Sequence, residues 1–218
     1  PHSVVGSLTL FDRRIIEPGT FSATVEIPNS TIADRVAKVI PRHPVDADEP
    51  DGLSTGPGRT VIHVYRSGVI WGTYLIWQAS VSQSGRSNVR VQIQGASLES
   101  YLNHVLVRAD LGPYTAVDQI TIARNLLTSM QSDARANIGL TLQSGTSGVV
   151  QDRTYYATEA VSYGQRIAEL ANRDGGFEWI ISTSVDAGTG VRSRMWEWAY
   201  PAFGSATGYV FKGDDVLS

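Results

Sequence analysis

The 218-residue sequence contains no cysteine, which removes disulfides, thiolate metal sites and cysteine nucleophiles from consideration. The absence does not fix a compartment, because cytosolic and extracellular assemblies alike can do without the residue. Charge of one sign is also scarce: 18 Lys+Arg against 21 Asp+Glu leave a formal net charge of −3. Apart from the adjacent Arg13 and Arg14 the arginines are scattered singly, so no basic stripe marks a nucleic-acid site or an anionic membrane surface. No apolar run approaches the roughly 20 residues that cross a bilayer. The first residues, PHSVVGSLTLFD, lack the basic start and long apolar core of a signal peptide. Pro1 is not an initiator methionine, and the sequence stops just after a strand-like run, GYVFKGDDVLS. We therefore expect a piece of a longer polypeptide.

Chemical motifs are equally scarce. The one G-x-S-x-G match, Gly52 to Gly56, falls in a proline- and glycine-rich stretch rather than at the strand-to-helix elbow that exposes a serine, and the turn Gly145-Thr146-Ser147-Gly148 lacks the lysine of a phosphate-binding loop. None of the four histidines, His2, His43, His63 and His104, lies two or four residues from another, the spacing zinc sites use. His63 in a strand-like run and His104 near the end of a helix-like one read as structural. The acidic stretch Asp46, Asp48, Glu49, Asp51 invites calcium, but Pro50 takes the third ligand position and no glutamate closes the loop. It reads as a solvated loop. The expectation is no catalytic residue, no cofactor-binding residue, no metal site and no enzyme.

What is present is a core and strands. Hydrophobic residues make up 42% and charged residues 18%, the composition of a globular chain. Phe21 to Ile27 alternates strictly, as a half-buried strand does. Asn29 or Ser30 can cap a short helix through Val39, ended by Pro41. Residues 41–59, rich in proline, glycine and acid, predict an exposed loop. Thr60–Arg66, the turn Ser67-Gly68, Val69–Gln83, the turn Ser84–Ser87 and Asn88–Gln94 predict an antiparallel meander. Gly72 suggests a bulge in it. With Ser7–Phe11, five strands suffice for a small barrel or sandwich.

The period changes near residue 97. Leu98, Tyr101, Leu102 and Val105 repeat at helical spacing. Thr115 with Asp118 resembles a capping box before an apolar stripe of Val117, Ile120, Ala123, Leu126, Leu127 and Met130. A third helix is predicted from about Glu159 to Asn172, capped by Thr158 and burying Val161, Ile167, Leu170 and Ala171. Gly175-Gly176 ends it, and Phe177–Ser184 and Val191–Tyr200 form a hairpin, with a last strand at Tyr209–Lys212. The predicted class is α+β. Its parts are a β-barrel-like or sandwich domain at 1–96, a helical α/β unit at 97–175, and a returning hairpin and strand at 176–218.

Four tryptophans attract attention. Trp71 and Trp77 share strand parity, as do Trp196 and Trp198. Exposed aromatic rings can stack sugars, so a carbohydrate-binding module for host cell-surface glycans is one alternative. The plainer alternative, which we favour, buries at least one of each pair in a core or an oligomer interface.

The stretches FSATVEIPN, VYRSGVIWGTYLIWQASVSQSGRSNVRVQIQGASLESYL and GFEWIISTS together resemble the hub proteins of bacteriophage tail tips and baseplates. The likeness centres on R-x-G-x-x-W-G (Arg66 to Gly72) and QGASLESYL (Gln94 to Leu102), and a related one holds to hubs of contractile injection systems. The resemblance implies a structural minor tail protein of the virion, located at the tail tip. It implies a homotrimeric ring that adapts the tail tube to the tip or baseplate, with a distal tail or tube ring and tip or fibre proteins as partners. Hubs carry two small β-barrels per chain, and this chain is short for two. On this reading the strand edges and tryptophan-bearing hairpins lie near subunit boundaries, and residues 41–59 and Gln143–Gln151 become ordered by partners.

Overall fold

The computed structural model of the chain describes residues 6–41, 57–83 and 89–204. β1 (Gly6–Phe11) and β2 (Thr20–Ile27) are followed by α1 (Ser30–Ala37), whose N-cap Asn29 accepts the Ile32 amide at 3.0 Å. β3 (Val61–Arg66), β4 (Val69–Ser82) and β5 (Val89–Ser97) complete an antiparallel sheet in the order β1-β2-β5-β4-β3. Alternation places Phe21 and Val25 of β2 and Val91 and Ile93 of β5 in one core with Val36 of α1. Ser67 and Gly68 take φ of 50° and 79°, the left-handed pair that a two-residue hairpin needs to match strand twist. The expected barrel or sandwich is a single curled sheet: its edges β1 and β3 do not pair with each other among the described residues. Phe11 of β1 still reaches Trp71 of β4, with ring centroids 6.4 Å apart.

The centre of β4 is buried on both faces. Tyr74 and Ile76 belong to the core just described, whereas Leu75 enters a second, larger core against which Trp77 packs. A fully buried large apolar side chain contributes about 1.5–3 kcal/mol, so β4 is the wall shared by two cores. Gly95 of β5 runs so close that a Cβ there would collide with the Leu75 carbonyl oxygen, which accounts for glycine at that position.

The second core is built by α2 (Glu99–Leu102), β6 (Leu111–Asp118), α3 (Gln119–Ser132), β7 (Leu140–Leu142), β8 (Val150–Tyr155), α4 (Tyr163–Ala171), β9 (Glu178–Val185) and β10 (Arg192–Ala199). β9 and β10 form an antiparallel hairpin, β7 lies parallel beside β10, and β6 and β8 make a separate antiparallel ribbon. Ile120, Leu126 and Leu127 of α3 pack with Ile167 and Leu170 of α4. The class is α+β, mostly antiparallel.

Several local expectations change. Thr115 and Val117 lie in β6, where Val117 pairs with Gln151, so Thr115 caps nothing. Asp118 is the N-cap of α3, its Oδ1 accepting the Ile120 amide at 2.9 Å. Ser162, not Thr158, caps α4, in a reciprocal box with Gln165. The helix expected over Leu98–Val105 is one turn, because the chain after it is captured by residues 161–163: the Val107 amide donates to the Val161 carbonyl and Leu106 bridges Ser162. Gln143–Gln151 is ordered from within the chain. Ser147 Oγ and the Gly148 amide donate to Asp118 Oδ2 at 3.1 and 2.7 Å, and Gln143 Oε1 accepts the Trp198 amide at 2.9 Å. The Asp46–Asp51 loop, the Ser84–Ser87 turn, His2, His43 and the strand expected at Tyr209–Lys212 lie outside the described residues.

Candidate functional site

Trp71 is 45% exposed, and a bulge puts it there. The β3–β4 register steps from Val64↔Gly72 to Tyr65↔Ile70, leaving Trp71 without a partner on β3. The Arg66 guanidinium stands over its ring, 4.4 Å from the centroid, and Phe11 meets it edge to face. Exposed Tyr65 and Val69 lie in the same hairpin, and Arg192 Nη2 of β10 donates to Tyr65 OH at 3.2 Å. Leu8 and Leu10 of edge strand β1 are exposed as well. The R-x-G-x-x-W-G stretch is thus a hairpin tip that displays an arginine-covered tryptophan beside strand edges that are unpaired among the described residues.

Trp77 sits at a second bulge, between Ile76↔Gly95 and Gln78↔Gln94 of the β4–β5 ladder. Its indole stacks on His104 with centroids 3.9 Å apart, and Nε1 donates to Ser100 Oγ at 2.8 Å. Ser100 Oγ donates to the Ser97 carbonyl at 2.6 Å, and His104 Nδ1 donates to the Ser100 carbonyl at 2.8 Å. The Gly19 amide donates to Ser97 Oγ at 2.8 Å, and the Ile181 amide of β9 donates to Glu99 Oε1 at 2.7 Å. Residues Ser97 to Ser100 of the QGASLESYL stretch therefore fasten the β1–β2 loop, β4 and β9 to one turn of helix. Burial pushes the Glu99 carboxyl above its ordinary value, against smaller opposing pulls from Ser97 and the Ile181 amide. No local signal in the sequence marks the joint, because its partners lie up to 82 residues apart.

Trp196 and Trp198 behave differently. Trp196 has no exposed surface and packs edge to face with Phe177 at 6.2 Å. That burial removes it from the candidate contacts, since neither a glycan nor a neighbouring chain can reach it. Trp198 packs half-buried against the same core. The four tryptophans do not form one aromatic platform.

His63 Nδ1 meets Thr73 Oγ1 at 3.0 Å. Burial, and then the charges of Arg192 and Arg194, push its pKa below the ordinary histidine value. Among the described residues no group of three or more His, Cys, Asp or Glu side chains could hold a metal ion. No helix among them is long and apolar enough to cross a membrane.

This arrangement has a counterpart among solved structures. The E. coli c3393 protein, a component of the type VI secretion system with structural similarity to the T4 bacteriophage tail proteins gp27 and gp5, aligns at a TM-score of 0.51. The chain shares its fold. The alignment covers 88% of this chain and 46% of the c3393 protein, at 8% sequence identity. A tail protein from Neisseria meningitidis MC58 aligns over 82% of this chain and 41% of its own, at 10% identity and a TM-score of 0.36, too low to bear on the fold. The chain thus spans about half the length of these structures. No family model and no curated protein matches the sequence.

Proposed function

We propose that the chain is a structural tail protein, a hub that forms a homotrimeric ring at the tail tip of a virion and adapts the tail tube to the tip or baseplate. The observation that carries this reading is the fold shared with the c3393 protein over 88% of the chain. It is supported by the two stretches that prompted the sequence resemblance, which fold into the hairpin tip and the joint. On this reading residues 1–96 are the hub domain, 97–175 a helical unit beside it, and 176–218 the returning β part. Partners are a distal tail or tube ring and tip or fibre proteins, and the chain performs no catalysis of its own.

Ring closure in a cyclic assembly needs two different surfaces on each copy. Edge strands β1 and β3 lie at opposite ends of one sheet, and unpaired edges are ready templates for another chain. Gold-labelled antibody against the chain, applied to intact particles, should decorate tail tips. Label confined to other parts of the particle would contradict the hub reading.

One observation favours a second reading, the carbohydrate-binding module: Trp71 is 45% exposed. Its ring already carries Arg66 at 4.4 Å, and Trp196 is buried, so the module would rest on a single partly covered indole.

A further inference from the structure

The joint between the sheet and the β9–β10 hairpin holds a buried acid with one carboxyl oxygen unpartnered among the described residues. Glu99 is 4% exposed. Its Oε1 accepts the Ile181 amide at 2.7 Å, while Oε2 has no partner among the described residues. Thr183 Oγ1 on the same strand also lacks one among them. Glu99 and Thr183 line a cavity of about 50 Å³ between the β1–β2 loop, β4 and β9. A water needs about 10–15 Å³ of such space, so solvent has a place from which to reach the carboxyl. A second clasp lies alongside, where the Ile16 amide donates to the Trp179 carbonyl at 3.0 Å. Ile16 has φ of 72°, a strained conformation for a β-branched residue that the closed joint maintains.

We propose that Glu99 is a proton-operated catch on this joint, closed when its carboxyl carries a proton and released when it ionises. Among the described residues the charged groups around it are few. Asp12 and Arg13 of the β1–β2 loop and Tyr74 of β4 line the same cavity, and the Arg13 charge draws the carboxyl toward ionisation. Asp12 is engaged by Thr20 and Arg14. On β9, Ile181, Ser182 and Thr183 carry no charge, and behind them Glu197 of β10 accepts from Ser182 Oγ at 2.5 Å. His104 lies on the far side of Ser100, bonded to its carbonyl.

The direction follows from linkage. The closed joint holds the carboxyl above its ordinary value of 4.5, and opening hydrates it and returns it toward that value. Raising the pH therefore favours the open joint until the closed-state value is passed. The two clasps open together, and Ile16 relaxes when they do.

Amide hydrogen exchange of the folded protein between pH 5 and 8, corrected for intrinsic rates, tests the catch. Protection of Ile16 and Ile181 should fall by up to about tenfold per pH unit, while Leu126 in α3 stays constant. In Glu99→Gln, which keeps the acceptor for Ile181 but cannot ionise, the fall should vanish. A carbon-13 titration of the wild-type carboxyls should place Glu99 above 4.5. The catch is overturned by constant wild-type protection at Ile16 and Ile181, or by an equal fall in Glu99→Gln. A Glu99 midpoint at or below the ordinary value overturns it without any variant.

Discussion

The Trp77 indole lies on the His104 imidazole with ring planes 17° apart and centroids separated by 3.9 Å. The contact joins a bulge in β4 to the turn after α2, so it fastens β4 to the larger core through side chains rather than through the sheet ladder. Removing the indole with Trp77→Ala should destabilise the protein by about 3 kcal/mol, the low end for truncating a large aromatic. His104→Ala should cost about 1 kcal/mol. In a double-mutant cycle read by urea unfolding, the pair should show coupling of about 0.5–1.5 kcal/mol. Additive single changes would mean that the stack contributes nothing as a pair.

Helix caps give a second test. Asp118 accepts the Ile120 amide and also receives Ser147 and Gly148, so Asp118→Ala should lose about 1–2 kcal/mol. Thr115→Ala, at an exposed position in β6, should change stability by less than about 0.5 kcal/mol. A reversed order in thermal melts would restore Thr115 as the cap.

The pH dependence at His63 has a definite sign. Its folded-state pKa lies below the ordinary 6.5, through burial and then Arg192 and Arg194. As pH falls through 6.5 the unfolded chain takes up a proton more readily than the folded one. The contribution of His63 is therefore present above that value and is lost on the acid side. Melting temperatures from pH 8 to 5 should drop more steeply for the wild type than for His63→Gln. Parallel curves would show that the ring titrates alike in both states.

Much of the β architecture is legible in the sequence because it is local. The alternation of Phe21 to Ile27 and the Ser67-Gly68 turn state their structure within a few residues, and Gly72 signals the bulge beside it. What alternation hides is the consequence of a bulge. Trp71 and Trp77 share parity in a regular strand, yet each drops out of a different ladder, and one ends on the surface and the other in the joint. The β6–β8 ribbon escapes notice because its register shifts twice within eight residues, which erases the period-2 signal and lets Thr115 imitate a cap. β7 is three residues long and parallel to a strand 50 residues away. For Trp196 and Trp198, parity identifies a shared face, but only packing against Phe177 and Trp179 shows that the face points inward.

The two readings of Trp71 separate in solution. A structural hub predicts no saturable quenching of tryptophan fluorescence by cell-wall or capsule glycans and no turnover of peptidoglycan or peptide substrates by the purified chain. Quenching that saturates and disappears in Trp71→Ala would favour the carbohydrate-binding module. Because Trp71 is already half in solvent, Trp71→Ala should leave the fold intact and lower stability by only about 1 kcal/mol.

The proposed hub is an assembly element on a symmetry axis. Direct imaging of particles that carry the chain, with the tail tip reconstructed without imposed symmetry, tests it most directly. The hub reading predicts three copies around the axis, with contacts made by β1, β3 and the Trp71 hairpin. Six copies in a ring, or a single copy off the axis, would contradict it.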